Sequence, residues 1–398
     1  MFVTVLLVGG LIGVSLLLKS LLYRVRIPGL VGWICLGLLC RIVDLRWSIL
    51  TEPRLEILDF LSYLGVAALL FRIGLESDFG KLLGELRPAT IVWAANVVLS
   101  GAVGFAASYF LLGLNAIQSL LLGVALTATS VGVTVTTWRE AHMLDTREGH
   151  LLLDVAELDD ASSILLMGFI FALLPALNGS GAGAPVKGFT TATLSFLGRM
   201  AALAGVCLLF ARYAERPLMR FVAKQEDEPD QALTVASVGL IVAAVAALMG
   251  FSLALGAFFA GLAFSRDPRA IKLDASFKSV YELFGPFFFI GIGLSFSPEV
   301  GSRMLVPAVV LLLAAIVGKV AGTSVPAAAT ANWPHGLVLG ISMVPRAEIT
   351  MVILERGRAA GSVLLPPKVF SAMVVVSLLT CILAPITTLG LLKRMGRD

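Results

Sequence analysis

Long apolar runs, separated by short charged or Gly/Pro-rich links, divide this chain of 398 residues almost from end to end. A helix needs about 20 apolar residues to cross a bilayer, where every backbone polar group must be bonded internally. Thirteen such runs predict thirteen transmembrane helices, at residues 2–18, 28–43, 56–75, 89–112, 116–138, 149–176, 191–211, 232–249, 251–265, 279–296, 304–325, 335–355 and 367–391. Gly250 is the predicted turn between the eighth and ninth, since one continuous helix there would be too long for one crossing. The runs predict an all-α polytopic membrane protein.

The composition excludes most soluble classes of protein. Hydrophobic residues make up 58% of the chain and charged residues 14%, with a mean hydropathy of +0.95. Such a chain has lipid as its main solvent, so the bilayer is an expected partner. The net charge of +4 is spread between apolar runs without a basic patch, so no nucleic-acid partner is expected. The sequence also shows no nucleophile with a base in a recognisable context and no cofactor motif, so an enzyme is not expected.

Basic residues are distributed unevenly between the two sets of links. Nineteen of the 30 Lys and Arg residues lie at or beside the links after odd-numbered segments, against eight on the other side. Cytoplasmic loops carry the excess of basic residues, so we predict a multi-pass inner (plasma) membrane protein with its N-terminus outside and its C-terminus in the cytoplasm. The other three, Arg199, Lys319 and Arg346, fall inside predicted spans and need a reason to be there.

The order of the segments predicts two inverted halves. Residues 1–176 and 232–391 are the approximate repeats, and an odd linking helix at 191–211 inverts the second relative to the first. Inverted repeats place substrate sites near the bilayer midplane, often where paired helices are interrupted. We therefore expect one membrane-embedded transporter domain over residues 1–398, without a soluble regulatory domain.

The fifth and twelfth segments contain residues whose chemistry favours an interruption of the helix. Small polar, weak helix formers occupy 127–130 in the fifth segment. In the twelfth, Pro345 removes a backbone hydrogen bond next to Arg346 and Glu348. Ordinary packing by small residues is an equally good explanation for the polar group of the fifth segment.

Two adjacent carboxylates, Asp159 and Asp160, lie deep within the apolar stretch from Leu151 to Leu174. An ionised group at the bilayer centre costs about 2.5 to 3.5 kcal/mol on insertion scales, so such side chains usually mark an ion or proton pathway. The pair indicates a cation/proton transporter.

Seven motifs follow one another along nearly the whole chain: IPGLVGWICLGLL (27–39), LGVAALLFRIGLESD (64–78), ALTATSVGVTV (125–135), ELDDASS (157–163), PFFFIGIGLSF (286–296), VGKVAG (317–322) and GISMVPRAEITMVI (340–353). In their sequence and their order they resemble the bacterial monovalent cation:proton antiporters of the Kef and NapA types. The resemblance implies a NapA-like antiporter fold of about 13 helices, in which two discontinuous helices cross beside an aspartate. It also implies a homodimer.

Carried over by position, the resemblance makes Asp160 the acid that alternately holds a proton and the transported Na⁺ or K⁺. Asp159 would form a buried ion pair with Lys319 of VGKVAG. If that pair breaks and reforms, it can carry a second proton and make exchange electrogenic. A static clamp is the structural alternative for the same pair, since removing one member costs about 3 to 5 kcal/mol of stability.

The resemblance assigns the remaining polar site to the two interrupted helices. Thr129 and Ser130 would supply oxygen ligands from the fifth segment, and Glu348 with Arg346 nearby would complete the site from the twelfth. Oxygen ligands suit a hard monovalent cation. No resident cofactor is implied, only the transported cation and protons.

Asp154 and Glu157 depart from the family pattern, which has a small and an aliphatic residue at these positions. With His150 they follow spacings of four and three, which places them on one helical face leading toward Asp160. This face predicts a hydrated funnel from the cytoplasm that gathers cations, with His150 as a reporter of pH. A solvated helix end with incidental charges is the alternative.

Sodium/proton exchange by alternating access is the function we expect. A Kef-type potassium/proton antiporter is the first alternative, because an oxygen-rich site does not by itself choose between the two ions. A channel or pH-sensing scaffold, and a sodium-coupled solute symporter, are further alternatives on the same fold. Cation-dependent proton movement separates exchange from these.

Overall fold

The structure is a computed structural model that describes residues 2–25, 27–76, 87–178, 185–214, 217, 228–249, 251–265, 270–330 and 332–395. Within these ranges all the regular structure is helical. The fifteen α-helices are α1 (Phe2–Arg24), α2 (Gly29–Trp47), α3 (Glu52–Glu76), α4 (Arg87–Ala106), α5 (Ala116–Ala125), α6 (Val131–Glu140), α7 (Arg147–Asn178), α8 (Pro185–Leu209), α9 (Glu228–Leu248), α10 (Leu253–Phe264), α11 (Ala270–Leu294), α12 (Leu305–Thr330), α13 (Trp333–Ser342), α14 (Glu348–Ala359) and α15 (Pro367–Met395). Short π-helical turns extend α4 to Leu111 and α8 to Ala214, and a 3₁₀ segment, Pro298–Met304, precedes α12.

Every predicted segment coincides with a helix, and the fifth and twelfth are each split into two. The fifth is α5 and α6, and the twelfth is α13 and α14, which accounts for fifteen helices from thirteen segments. Helices α9 and α10 are separate, as predicted, although Gly250 itself lies outside the described residues. The all-helical polytopic fold is therefore confirmed.

Five of the described helices are long and apolar enough to cross a membrane by themselves. They are Phe2–Arg24, Glu52–Leu75, Ala89–Leu111, Pro298–Ala329 and Pro367–Met395. Five more apolar helices are shorter, with 10–17 residues, and include α5 and α10. The long helices α2 and α7 are absent from both sets; α2 carries Arg41, Asp44 and Arg46, and α7 carries the acidic residues discussed below.

The chain forms two compact units. The first, called the site unit here, comprises residues 1–51, 84–167 and 289–398. The second comprises residues 52–83 and 168–288. The inverted-repeat relation between residues 1–176 and 232–391, with 191–211 as its link, stays a prediction.

Close contact between α4 and α12 organises the site unit. A Cβ atom added to Gly318 would lie 2.9 Å from the Cα of Ser100, and one added to Gly322 would lie 2.9 Å from the Cα of Asn96. Small residues allow helix backbones in membranes to approach this closely. The contact brings the polar side chains of α4 beside Lys319, which lies one turn before Gly322 on α12.

In the second unit, glycines bring α3 and α10 together in the same way. A Cβ atom at Gly74 of α3 would collide with the carbonyl oxygen of Phe258, and one at Gly261 of α10 would collide with that of Phe71. The aromatic ring of Phe71 packs on Phe264, with 6.2 Å between ring centroids. This unit is held together mainly by apolar contacts among the helices α3, α9 and α10.

Candidate functional site

Two interrupted helices meet inside the site unit. Residues 126–130 separate α5 from α6, and residues 343–347 separate α13 from α14. Pro345 has no N–H to continue a helical ladder, so a break falls where it was predicted. The two breaks contact each other directly, because the backbone N–H of Ser130 donates to the carbonyl of Pro345 at 2.9 Å.

Side chains join each half of one broken helix to the opposite half of the other. Thr350 of α14 donates through Oγ1 to the carbonyl of Ala125, at the end of α5, at 3.0 Å. Thr134 of α6 donates to the carbonyl of Ser342, at the end of α13, at 2.8 Å. Trp138 Nε1 donates to Ser342 Oγ at 2.8 Å. The two threonine bonds satisfy backbone carbonyls at the helix ends beside the breaks, and the tryptophan bond joins two side chains.

Cationic side chains bond carbonyl groups in the first break, just beyond the C-terminal end of α5. Lys319 Nζ donates to the carbonyl of Thr127 at 2.5 Å, and Arg346 Nη1 donates to the carbonyl of Ala128. A helix carries partial negative charge at its C-terminal end, so both cations are favourably placed there. Arg346 Nη2 also lies 3.5 Å from the carbonyl oxygen of Ala315. Both of these acceptors of the guanidinium are backbone oxygens.

Helix α15 fixes the backbone of Arg346. The N–H of Arg346 donates to Thr380 Oγ1 at 3.1 Å, while its carbonyl accepts a hydrogen bond from Ser377 Oγ and a contact from Cys381 Sγ at 3.4 Å. All four side chains are buried. Helix α15 thereby bonds both backbone polar groups of Arg346 in the second break.

The N-terminal ends of α6 and α14 meet at a carboxylate. Ser130 Oγ donates to Glu348 Oε2 at 2.7 Å, and Glu348 is the first residue of α14. Negative charge is favourable at helix N-termini, where unpaired N–H groups point outward. The two predicted site residues Ser130 and Glu348 are therefore in direct contact.

Asp159 lies beside this crossing with three donors around its carboxylate. Lys319 Nζ and Thr129 Oγ1 donate to Oδ2, Thr129 at 2.6 Å, and Asn96 Nδ2 donates to Oδ1 at 2.8 Å. Asp159 and Lys319 are both 0% exposed. The predicted pair of Asp159 and Lys319 is thus brought together, with the predicted site residue Thr129 beside it, and Lys319 bridges the carboxylate to the first break.

Asp160 is the next residue on α7 and is 5% exposed, compared with 0% for Asp159. Successive residues on a helix point in directions about 100° apart, so the two carboxylates face different neighbours. Asp160 is therefore buried but slightly more exposed than Asp159.

The predicted funnel residues lie on the first half of α7, which extends from Arg147 to Asn178. His150 is exposed, whereas Asp154 and Glu157 are half-buried. Exposure falls along α7 toward Asp160, as a funnel requires. The funnel itself stays a prediction.

Sequence reasoning missed Asn96 of α4 and the capping residues Thr134 and Ser342. Asn96 is a single amide inside an otherwise apolar span, which is the signal that could have drawn attention to it. Thr134 and Ser342 carry no comparable signal, because small hydroxyl residues are common in membrane helices.

No group of three or more His, Cys, Asp or Glu side chains suited to a bound metal occurs among the described residues. The four cysteines are free thiols. The polar site offers carboxylate, hydroxyl and carbonyl oxygens, the donor types that hard cations prefer.

The sequence matches the family described as "Sodium/hydrogen exchanger, transmembrane" over residues 11–394. It is similar to the "High-affinity Na(+)/H(+) antiporter NhaS3" of Synechocystis sp., with 28% identity over 83% of this chain and 70% of that protein. It is also similar to the "Glutathione-regulated potassium-efflux system protein KefC" of Shigella flexneri, with 29% identity over 78% of this chain and 48% of KefC. The fold matches the solved sodium proton antiporter MjNhaP1 of Methanocaldococcus jannaschii, with a TM-score of 0.75, 14% identity, and coverage of 100% of this chain and 99% of that one.

Proposed function

The chain belongs to the sodium/hydrogen exchanger transmembrane family, and we propose that it exchanges sodium ions for protons across a membrane by alternating access. The observation that carries the proposal is the contact between two helix breaks beside the buried pair Asp159 and Asp160. The predicted resemblance to bacterial monovalent cation:proton antiporters is confirmed at the level of the family. The protein is accordingly a transporter and not an enzyme.

In the proposed mechanism a proton and a cation compete for the carboxylate of Asp160. A site that reorients only when it is occupied, by one ion or the other, couples the two flows in opposite directions. Asp160 suits this role because it is buried within a membrane helix but is more exposed than Asp159. A charge buried at such a position is costly, so its presence usually marks an ion or proton pathway.

Oxygen atoms at the crossing would complete the coordination of the cation. The hydroxyls of Thr129 and Ser130 donate to Asp159 and Glu348, respectively, which leaves their oxygen lone pairs available as acceptors. Backbone carbonyls of the interrupted helix can add ligands in the same way. These assignments for Thr129, Ser130 and Glu348 rest on the geometry of the contacts and on the family pattern.

Lys319 bears on the stoichiometry of exchange. Its ion pair with Asp159 is fully buried. If the pair opens and reforms during each exchange cycle, it would carry a second proton across the membrane. We expect Lys319→Gln to change the voltage dependence of exchange, measured as the reversal potential in proteoliposomes. An unchanged reversal potential in an active variant would assign the pair to a static clamp.

Potassium is the second candidate cation, because the chain resembles the potassium-efflux protein KefC as well as a sodium antiporter. The matched part covers about half of KefC, 48% of its length. The site contains no feature that selects one ion by chemistry alone. The assay below includes both ions for this reason.

Membrane orientation and assembly are further parts of the proposal. We place the protein in the inner (plasma) membrane with the N-terminus outside, the C-terminus in the cytoplasm, and two copies in a homodimer. Two contacts agree with the alternating sidedness of the links: Gln118 Nε2 donates to the carbonyl of Val363 at 2.7 Å, and His335 Nε2 lies 4.0 Å from Glu148 Oε1. Each joins two links that the charge count assigns to the same side.

The test is dissipation of a pH gradient in proteoliposomes after addition of Na⁺, Li⁺ or K⁺. Wild type is compared with Asp160→Asn, and Asp145→Asn is the matched control because it removes the same charge from an exposed position in the α6–α7 link. We expect a cation-dependent signal in wild type and in the control but not in Asp160→Asn. Absence of any cation response from folded wild type would refute exchange and favour a channel or symporter.

A further inference from the structure

Asn96 is a buried amide that the exchange mechanism described above does not use. It lies on α4 and is 0% exposed. Its Cα packs against Gly322 of α12, where an added Cβ would lie only 2.9 Å away. Burying an amide in an apolar span is unfavourable unless its hydrogen bonds are made. The hydrogen-bond partners of Asn96 therefore indicate its role.

The two hydrogen bonds of Asn96 have a defined direction. Nδ2 donates to Asp159 Oδ1 at 2.8 Å, and Oδ1 accepts from Ser100 Oγ at 3.2 Å. An ionised carboxylate can only accept, so the NH₂ group must face Asp159. Ser100 Oγ can donate to the amide oxygen in this orientation. Asn96 thus presents a fixed donor to one oxygen of Asp159.

The other carboxylate oxygen of Asp159 is held by Lys319 and Thr129. The carboxylate therefore has donors on both oxygens, from three different helices or helix breaks. If Lys319 were to release its bond during transport, Asn96 and Thr129 would remain in place. The orientation of Asp159 would then be preserved without its ion-pair partner.

Resting on the proposed function, we infer that Asn96 is a positioning residue that keeps Asp159 turned toward Lys319, so that Asp160 is the carboxylate that takes the cation. Without the amide, Oδ1 of Asp159 loses its donor while Lys319 and Thr129 hold only Oδ2, so Asp159 competes more strongly with Asp160 for protons and cations. The consequence is a change in cation affinity and in the pH profile, and not simply a loss of folded protein.

The test compares Asn96→Ala and Asn96→Asp with wild type in proteoliposomes, with Na⁺ as the probe. Ser108→Ala is the matched control, because Ser108 is also buried and lies about three turns further along the same helix. We expect Asn96→Ala to raise the apparent KM for Na⁺ about tenfold, the effect of losing one hydrogen bond to a charged group. Ser108→Ala should stay within about twofold of wild type.

Asn96→Asp separates hydrogen bonding from packing, since Asp has nearly the same shape as Asn. Its carboxyl can donate to Asp159 only when protonated, so we expect near-wild-type exchange at acidic pH and a loss at alkaline pH beyond that of wild type. This variant also decides the question if Asn96→Ala does not fold. Thermal unfolding in detergent establishes which variants are folded.

Infrared spectra provide a readout that does not depend on transport. Hydrogen bonding changes the carboxylate stretching bands, so Asn96→Ala should shift a band that Asp159→Asn removes. If wild type shows no exchange but this shift occurs, the proposed function fails while the contact stands. If folded Asn96→Ala and Asn96→Asp match Ser108→Ala in KM, pH profile and carboxylate bands, the positioning role is overturned.

Discussion

Replacing Lys319 with methionine should destabilise the protein strongly, because it would leave the carboxylate of Asp159 buried without its cation. Both side chains are 0% exposed, so water cannot compensate for the loss. Removing one member of a buried pair typically costs about 3 to 5 kcal/mol. The carbonyl of Thr127 also loses its lysine donor, which adds about 1 kcal/mol. Asn96 and Thr129 still donate to the carboxylate, so we expect a total at the lower end of this sum, about 4 kcal/mol.

The double variant Lys319→Met with Asp159→Asn should recover most of this loss. With both charges absent, the desolvation penalty disappears, and replacing buried pairs by neutral groups is often close to neutral in stability. The coupling energy of the cycle should therefore be at least about 2 kcal/mol. It is measured from unfolding of purified protein in detergent, followed by tryptophan fluorescence, for wild type, both single variants and the double variant.

An exposed ion pair provides the comparison for this cycle. Arg358 donates from Nε to Glu355 at 3.0 Å and 3.1 Å on the surface of α14. Pairs in water contribute about 0 to 1 kcal/mol, so Arg358→Met should have little effect on unfolding. If Lys319→Met costs no more than Arg358→Met, or if the double variant is as unstable as Lys319→Met, the charge-burial argument is refuted.

Three further predictions concern packing, the funnel and the crossing. Gly322→Ala should destabilise the protein by about 1 to 3 kcal/mol, because the added methyl group would collide with the α4 backbone at Asn96. Gly390→Ala should not destabilise it, because no neighbouring atom lies within 4 Å of the added methyl group. Unfolding in detergent measures both effects. Glu157→Gln should raise the apparent KM for the cation if the funnel concentrates ions, and an unchanged KM and pH profile would remove the best-placed member of that funnel. Glu348→Gln should lower maximal exchange by about tenfold through the loss of negative charge at two helix N-termini, and wild-type rates in a folded variant would contradict that role.

Most of the membrane fold follows from the sequence because the constraints involved are local. Each apolar run must form a helix of sufficient length to satisfy its own backbone, so thirteen segments could be read directly and all thirteen are helical. The break at Pro345 is equally local, since a missing N–H interrupts the ladder wherever it occurs. Among the described residues, the two breaks account for the difference between thirteen segments and fifteen helices.

The site residues could be predicted from the sequence where their type is energetically costly inside a membrane. Asp159, Asp160 and Lys319 are conspicuous because charge in a membrane span is expensive, and the structure places Lys319 on Asp159. The bonds of Arg346 were less predictable. The family pattern placed Arg346 near Glu348, whereas the structure directs its guanidinium to the carbonyl of Ala128 in the first break and to that of Ala315 on α12.

The sequence by itself determined where the chain crosses the membrane, where two helices are interrupted and which charges need partners, because hydropathy, proline geometry and desolvation cost act within one segment. The tertiary structure alone added Asn96 to the donors around Asp159, since Asn96 lies 63 residues away from it in sequence and on a different helix. This contact depends on how closely α4 and α12 approach each other. The glycines of α12 set that distance, and it cannot be predicted from hydropathy.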